Sequence, residues 1–167
     1  VYRRIGKVEK AEGLCVSALT IIRDQNRSTE DPRMLKCMNE LAKIFLSRDK
    51  IAQAESMSRN VFERSRLSLG EKSSVSLIRG QVLVEALRKG GKLDEAEELS
   101  KNLVATMGEV LGQTHPDTLG AMDALAEIVV SREELNRGLD IYEQILDSKE
   151  RMLGEQHPET LSTLKAI

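Results

Sequence analysis

Apolar residues run along this chain in two alternating stripes, both at helical spacing. In the first stripe Leu35, Met38, Leu41, Ala42 and Phe45 follow one another at intervals of three, three, one and three. Such spacing places them on one face of an amphipathic helix. The same slots recur 42 residues later as Leu77, Gly80, Leu83, Val84 and Leu87, and again as Leu119, Met122, Leu125, Ala126 and Val129. A short polar break follows each stripe: Arg48-Asp49-Lys50, Gly90-Gly91-Lys92 and Arg132-Glu133-Glu134. A second stripe then begins, reading Ile51, Ala54, Ser58, Val61; Leu93, Ala96, Ser100, Leu103; and Leu135, Gly138, Tyr142, Ile145. Each unit is therefore predicted to be a helical hairpin, helix A followed by helix B. The small residue at Ala54, Ala96 and Gly138 predicts close approach of the two helices. That contact would offset the roughly 1 kcal/mol of helix propensity that Gly138 gives up relative to Ala.

A connector with the same 42-residue stride joins the hairpins, beginning at Arg27, Leu69, Leu111 and Leu153. Its last two copies read Leu111-Gly112-Gln113-Thr114-His115-Pro116-Asp117-Thr118-Leu119 and Leu153-Gly154-Glu155-Gln156-His157-Pro158-Glu159-Thr160-Leu161. Pro32, Pro116 and Pro158 mark helix starts, where the missing N–H would be unpaired anyway. Asp117 and Glu159 follow, at the positive end of the helix dipole. Ser73-Ser74 would cap the copy that lacks Pro, and Gly112 and Gly154 would end the preceding helices in a left-handed conformation. A period of this length is the signature of a stacked repeat array. The expected division is a partial repeat over 1–26, full repeats over 27–68, 69–110 and 111–152, and the start of another over 153–167. In this reading Tyr2-Arg3-Arg4-Ile5-Gly6-Lys7 is the tail of a helix A. Val8 to Ile22 is then a helix B whose onward connection is one residue longer than the others. Neither end shows the polar capping helix that solenoids need, so an internal piece of a longer array is expected.

Composition narrows the function classes. Of 167 residues 31% are charged, yet the net charge is only −2, which argues against general attraction to nucleic acid or anionic membranes. Aromatic residues are 2% with no Trp, too few for base-stacking platforms. Two cysteines do not make a disulfide framework. These features suggest a soluble, reducing, cytoplasmic setting.

With Leu, a small residue and a large apolar residue on helix A and Ala on helix B, the unit resembles the tetratricopeptide repeat. The 42-residue period and the Leu-Gly-x-x-His-Pro-x-Thr-Leu connector are similar to the long variant found in kinesin light chains and in NACHT or NB-ARC regulatory ATPases. The resemblance implies an all-α, right-handed solenoid whose concave wall is lined by the A helices, and a role in protein–protein recognition. It places the partner-binding face at Lys36, Asn39 and Lys43; at Ile78, Gln81, Glu85 and Arg88; and at Gly120, Asp123 and Glu127. Charge on these positions runs from basic to acidic, which would orient a dipolar partner segment. The family's Asn-Asn-Leu-Ala motif is only partly present: Asn39 alone keeps the amide that holds a bound peptide backbone.

Catalytic chemistry is not suggested. His115 and His157 hold equivalent repeat positions about 10 Å apart, one helix-packing distance, too far to share a metal ion. Cys15 and Cys37 read as small apolar residues, and Glu95, Glu97 and Glu98 as a solvated helix face. The expectation is a non-catalytic interaction module with no cofactor or metal, and no nucleic acid or membrane partner. It would bind a partner protein or peptide, as the sensor or scaffold part of a larger NACHT or NB-ARC regulator. The alternatives are a cargo adaptor like the kinesin light chain, or a scaffold that self-associates through its open ends. Leu83→Asp or Leu125→Asp is expected to abolish cooperative unfolding of the surrounding helices, because each would bury an unpaired charge. Unchanged thermal unfolding of either variant would refute the assigned core face.

Overall fold

A computed structural model describes residues 8–24 and 31–165. The reading of residues 2–7 as the end of a helix A, and the first connector copy up to residue 30, lie outside the described residues. Eight α-helices and no strands occur among the described residues: α1 Val8–Asp24, α2 Pro32–Ser47, α3 Ile51–Leu69, α4 Ser74–Lys89, α5 Leu93–Val110, α6 Pro116–Ser131, α7 Leu135–Leu153 and α8 Pro158–Leu164. The A-type helices are α2, α4, α6 and α8; the B-type are α1, α3, α5 and α7. Two compact units result, Val1–Gly90 and Gly91–Ile167. In the first, α1 packs on α2, α2 on α3 and α3 on α4, and the A helices α2 and α4 touch. In the second, α5 packs on α6, α6 on α7 and α7 on α8.

Helix starts follow the connector chemistry. His115 Nδ1 accepts the Asp117 amide N–H at 3.2 Å, and His157 Nδ1 accepts that of Glu159 at 3.3 Å. Both histidines are therefore N-caps, a role that requires Nδ1 to carry no proton. Asp31 does the same for α2, accepting the Arg33 N–H at 2.8 Å. Ser73 occupies the equivalent place before α4 but makes no side-chain capping bond, so the expected serine cap is absent. Thr118 and Thr160 close the connector from the other side. Their buried hydroxyls donate to the Gly112 and Gly154 carbonyls at 2.8 and 2.9 Å. Ser76 stands in that slot at the start of α4, and its buried Oγ has no hydrogen-bond partner among the described residues. The connector glycines turn the chain at positive φ. Gly70 and Gly154 have φ, ψ of 93°, 157° and 89°, 158°. These angles lie beyond the expected left-handed helical region, in mirror-extended space that only glycine occupies comfortably.

The core matches the stripes with additions. Leu35, Leu41, Ala42, Leu77, Leu83, Val84, Leu87, Leu119, Leu125, Ala126 and Val129 are buried. Met38, Phe45 and Met122 are half-buried. A further column, Ile44, Ala86 and Ile128, is as deeply buried as any; it lies one residue before the last slot of each stripe. On the B helices Ala54, Ser58, Val61, Ala96, Ser100, Leu103, Gly138 and Ile145 are buried. Leu135 departs from expectation at 65% exposed, since it opens α7 directly after the turn.

The small-residue column is a close-packing site. A Cβ on Gly138 would sit 2.5 Å from Val130 Cγ2 on helix α6. The slot of Val130 holds Leu46 and Arg88 in the other repeats, both unbranched at Cβ. The branched valine is stiffer about χ1, which explains why this hairpin carries Gly where the others carry Ala. Gly138→Ala is predicted to destabilise by about 1 kcal/mol, overpacking outweighing the gain in helix propensity. In a Val130→Ala background the same change should stabilise. Chemical denaturation of the four-member cycle tests this, and the same sign in both backgrounds would refute it.

Candidate partner-binding face

The expected binding residues divide between the two units. Lys36, Asn39 and Lys43 on α2 and Gln81, Glu85 and Arg88 on α4 share the first, on neighbouring A helices. Asp123 and Glu127 stand on α6 in the second, with Asp123 half-buried and Glu127 exposed.

Most of these charges are neutralised within the chain. Lys43 Nζ reaches Glu40 at 2.8 Å one turn away. Arg88 forks onto Glu85 through Nε at 2.9 Å and an Nη at 3.0 Å, and Lys89 joins the same carboxylate at 3.6 Å. Asp123 lies 3.6 Å from Lys149 of α7. Burial pushes the Asp123 carboxyl up from its ordinary value; Lys149 opposes this and Glu159 adds to it. Asn39 is buried, with its Oδ1 out of reach of any hydrogen-bond partner among the described residues. Lys36 alone of the basic set is exposed with no ion-pair partner among the described residues. Exposed i, i+3 and i, i+4 pairs contribute only about 0–1 kcal/mol each. They do, however, cancel much of the charge that a partner would sense.

A second set of charged contacts, which the sequence did not reveal, lies away from the expected face. Glu97, expected on a solvated face, is only 7% exposed. Lys101 at 2.6 Å, Arg137 at 3.0 Å and Arg132 at 3.3 Å surround it. Arg132 also binds Asp94 and Glu134, and Arg137 binds Glu134. In the first unit Glu12 of α1 takes the corresponding place, held by Arg48 and by Lys50 at 3.3 Å. Arg48 and Arg132 fill the same slot of the A–B turn, two repeats apart. In each unit a carboxylate on a B helix thus clamps the turn of the next hairpin. The arginines in the first and third polar breaks were the available signal; the second break has Gly90 in their place.

No group of three or more His, Cys, Asp or Glu among the described residues is placed to hold a metal ion. Cys15 and Cys37 are free and half-buried. Burial, with smaller contributions from Cys37 and Glu40, pushes the Cys15 thiol up, which makes it a weaker nucleophile. No helix among the described residues is long and apolar enough to cross a membrane.

Helical hairpins repeated at a fixed stride, each packing on the next within its unit, define an all-α repeat fold of the solenoid class. Residues 82–117 and 118–159 each match the tetratricopeptide repeat family. A proposed kinesin light chain from Podosopora anserina, built of nearly identical TPR-like repeats, has the same fold. It aligns with a TM-score of 0.82 at 23% identity, over 97% of this chain and 76% of its own. A variant of that protein gives 0.83 at 24% identity with the same coverage. BtubC (BKLC) from P. vanneervenii aligns with a TM-score of 0.73 at 19% identity, over 93% of this chain and 62% of its own. No curated protein matches the sequence.

The Glu97 cluster generates a pH prediction. A hydrogen bond from Lys101 holds the Glu97 carboxyl below the ordinary 4.5, burial opposes this, and Arg137 helps. A depressed native pKa stabilises the fold above the unfolded value, and that contribution is lost as pH falls through the native one. Stability should therefore drop below about pH 4.5 more steeply in the wild type than in Glu97→Gln. The variant should be about 1 kcal/mol less stable at neutral pH. Parallel stability curves across the acid range would rule out the clamp.

Proposed function

We propose that the chain is a non-catalytic interaction module that holds a partner protein or peptide on the face formed by its A helices. Tetratricopeptide repeats generally serve protein–protein recognition, and the observation that supports this reading is the pairing of α2 with α4. Two A helices side by side present Lys36, Ile78 and Gln81 at or near the surface. Neighbouring Lys43 and Arg88 are oriented by ion pairs to Glu40 and Glu85. Pre-ordered side chains lose less entropy when a partner docks. In the full context we assign the module to a larger regulatory protein of the NACHT or NB-ARC kind, with partner capture controlling an ATPase elsewhere in that protein. The likeness to kinesin-light-chain-type repeats supports a second reading, a cargo adaptor.

Because Lys36 has no ion-pair partner among the described residues, reversing it tests the face while leaving the Lys43–Glu40 and Arg88–Glu85 pairs intact. Partner capture from native lysate, quantified by mass spectrometry, should fall at least about tenfold for Lys36→Glu if the lysine meets an acidic group in a desolvated groove. It should be unchanged for Asn60→Arg on the exposed side of α3. Equal capture by the wild type and both variants would move the site off the A helices.

A further inference from the structure

Several apolar columns repeat so closely that they cannot tell one hairpin neighbour from another. Leu83 and Leu125, or Ala54 and Ala96, present the same surface to whatever packs on them. A slip by one repeat, or insertion of a hairpin from a second chain, would satisfy the same hydrophobic contacts. One column breaks this degeneracy. It pairs a residue near the end of a B helix with a residue fourteen positions later on the next A helix.

Between α3 and α4 the pair is Ser65 and Arg79. Arg79 is 7% exposed, its Nη1 donates to Ser65 Oγ at 2.7 Å, and Ser65 Oγ donates to the Val61 carbonyl at 2.6 Å. No carboxylate pairs with Arg79 among the described residues, and burial pulls its pKa down. Between α5 and α6 the two slots hold Met107 and Ala121, both buried and apolar. Between α7 and α8 they hold Lys149 and Thr163. Lys149 is 9% exposed and donates to Thr163 Oγ1 at 2.8 Å, with Asp123 Oδ2 at 3.6 Å as its counter-charge. The buried cation therefore sits on the A helix at one junction, is absent at another, and sits on the B helix at a third.

We propose that this column is a key that fixes which hairpin follows which. A buried charge contributes little net stability, so its value here is discrimination. An α7-type surface placed on an α4-type surface would press Lys149 against Arg79, two buried cations with nothing between them. An α5-type surface on α4 would face Arg79 with the thioether of Met107, removing its one hydroxyl acceptor. Only the native order gives each cation its hydroxyl.

Transplanting one key into another junction tests the idea, with thermal unfolding of the whole chain as the readout. Ser65→Lys alone mimics the wrong pairing and should lower Tm by roughly 10 °C, the scale of an uncompensated buried charge. Asn39→Asp/Ser65→Lys/Arg79→Thr copies the Asp123, Lys149 and Thr163 set, 84 residues earlier, onto α2, α3 and α4 and should return Tm to within about 3 °C of wild type. Ser65→Met controls for bulk: it should lower Tm by less than half as much as Ser65→Lys. Failure of the triple variant to recover would overturn the proposal. Equal damage by Met and Lys would overturn it too, because size rather than charge would then decide the junction.

Discussion

Everything in this chain depends on one constraint: a helical hairpin cannot bury both of its apolar faces by itself. Helices α2 and α6 carry apolar residues toward the B helices on both sides of them, α1 and α3 for the one and α5 and α7 for the other. Leu83, Val84, Ala86 and Leu87 are all buried along a single helix of 16 residues, more than one partner can cover. The packing of α2 against α1 and α3, and of α6 against α5 and α7, is the answer to that excess. Stability in such a fold is a sum of local units and nearest-neighbour junctions, so the chemistry of the junctions carries unusual weight.

Two kinds of polar contact adjust those junctions at different depths. At the rim, Glu12 and Glu97 reach from B helices to the arginines of the following turns, tying each B helix to the next hairpin. Deeper, the hydroxyl–cation pairs at Ser65–Arg79 and Lys149–Thr163 discriminate between otherwise interchangeable surfaces. The connector adds a third control. Its histidine caps the new helix while its threonine returns a hydrogen bond to the glycine carbonyl behind it. The path between hairpins is then fixed by local bonds rather than by the core.

Periodicity made the architecture legible because burial acts on every repeat alike. The A and B stripes, the proline starts and the small-residue column were all readable from spacing alone. What escaped were features that depend on a residue's three-dimensional neighbours. Nothing in the run of Glu95, Glu97 and Glu98 distinguishes the middle carboxylate; it is buried because Arg132 and Arg137 arrive from 35 and 40 residues further on. Ser73 looked like a cap and is not one. His115 and His157 looked like turn residues, and their accepting nitrogens became visible only with the helix N-terminus in place. The Ile44, Ala86 and Ile128 column obeyed the same 42-residue period as the rest and was missed because it sits beside, rather than within, the chosen stripe.

The binding face is legible to a lesser degree for a physical reason. A core slot is defined by what it excludes, water, and any apolar residue signals it. A recognition slot is defined by what it meets, and that group lies outside the chain. Sequence assigned Lys43, Glu85, Arg88 and Asp123 to a partner, yet each first satisfies a neighbour of its own. Their internal pairing does not remove them from recognition; it converts them from long-range charges into oriented donors and acceptors, whose contribution is specificity at contact rather than steering from a distance. Lys36, unpaired among the described residues, is the one position on this face that still acts through its net charge, and so the one where the chemistry of the partner can be read by a single reversal.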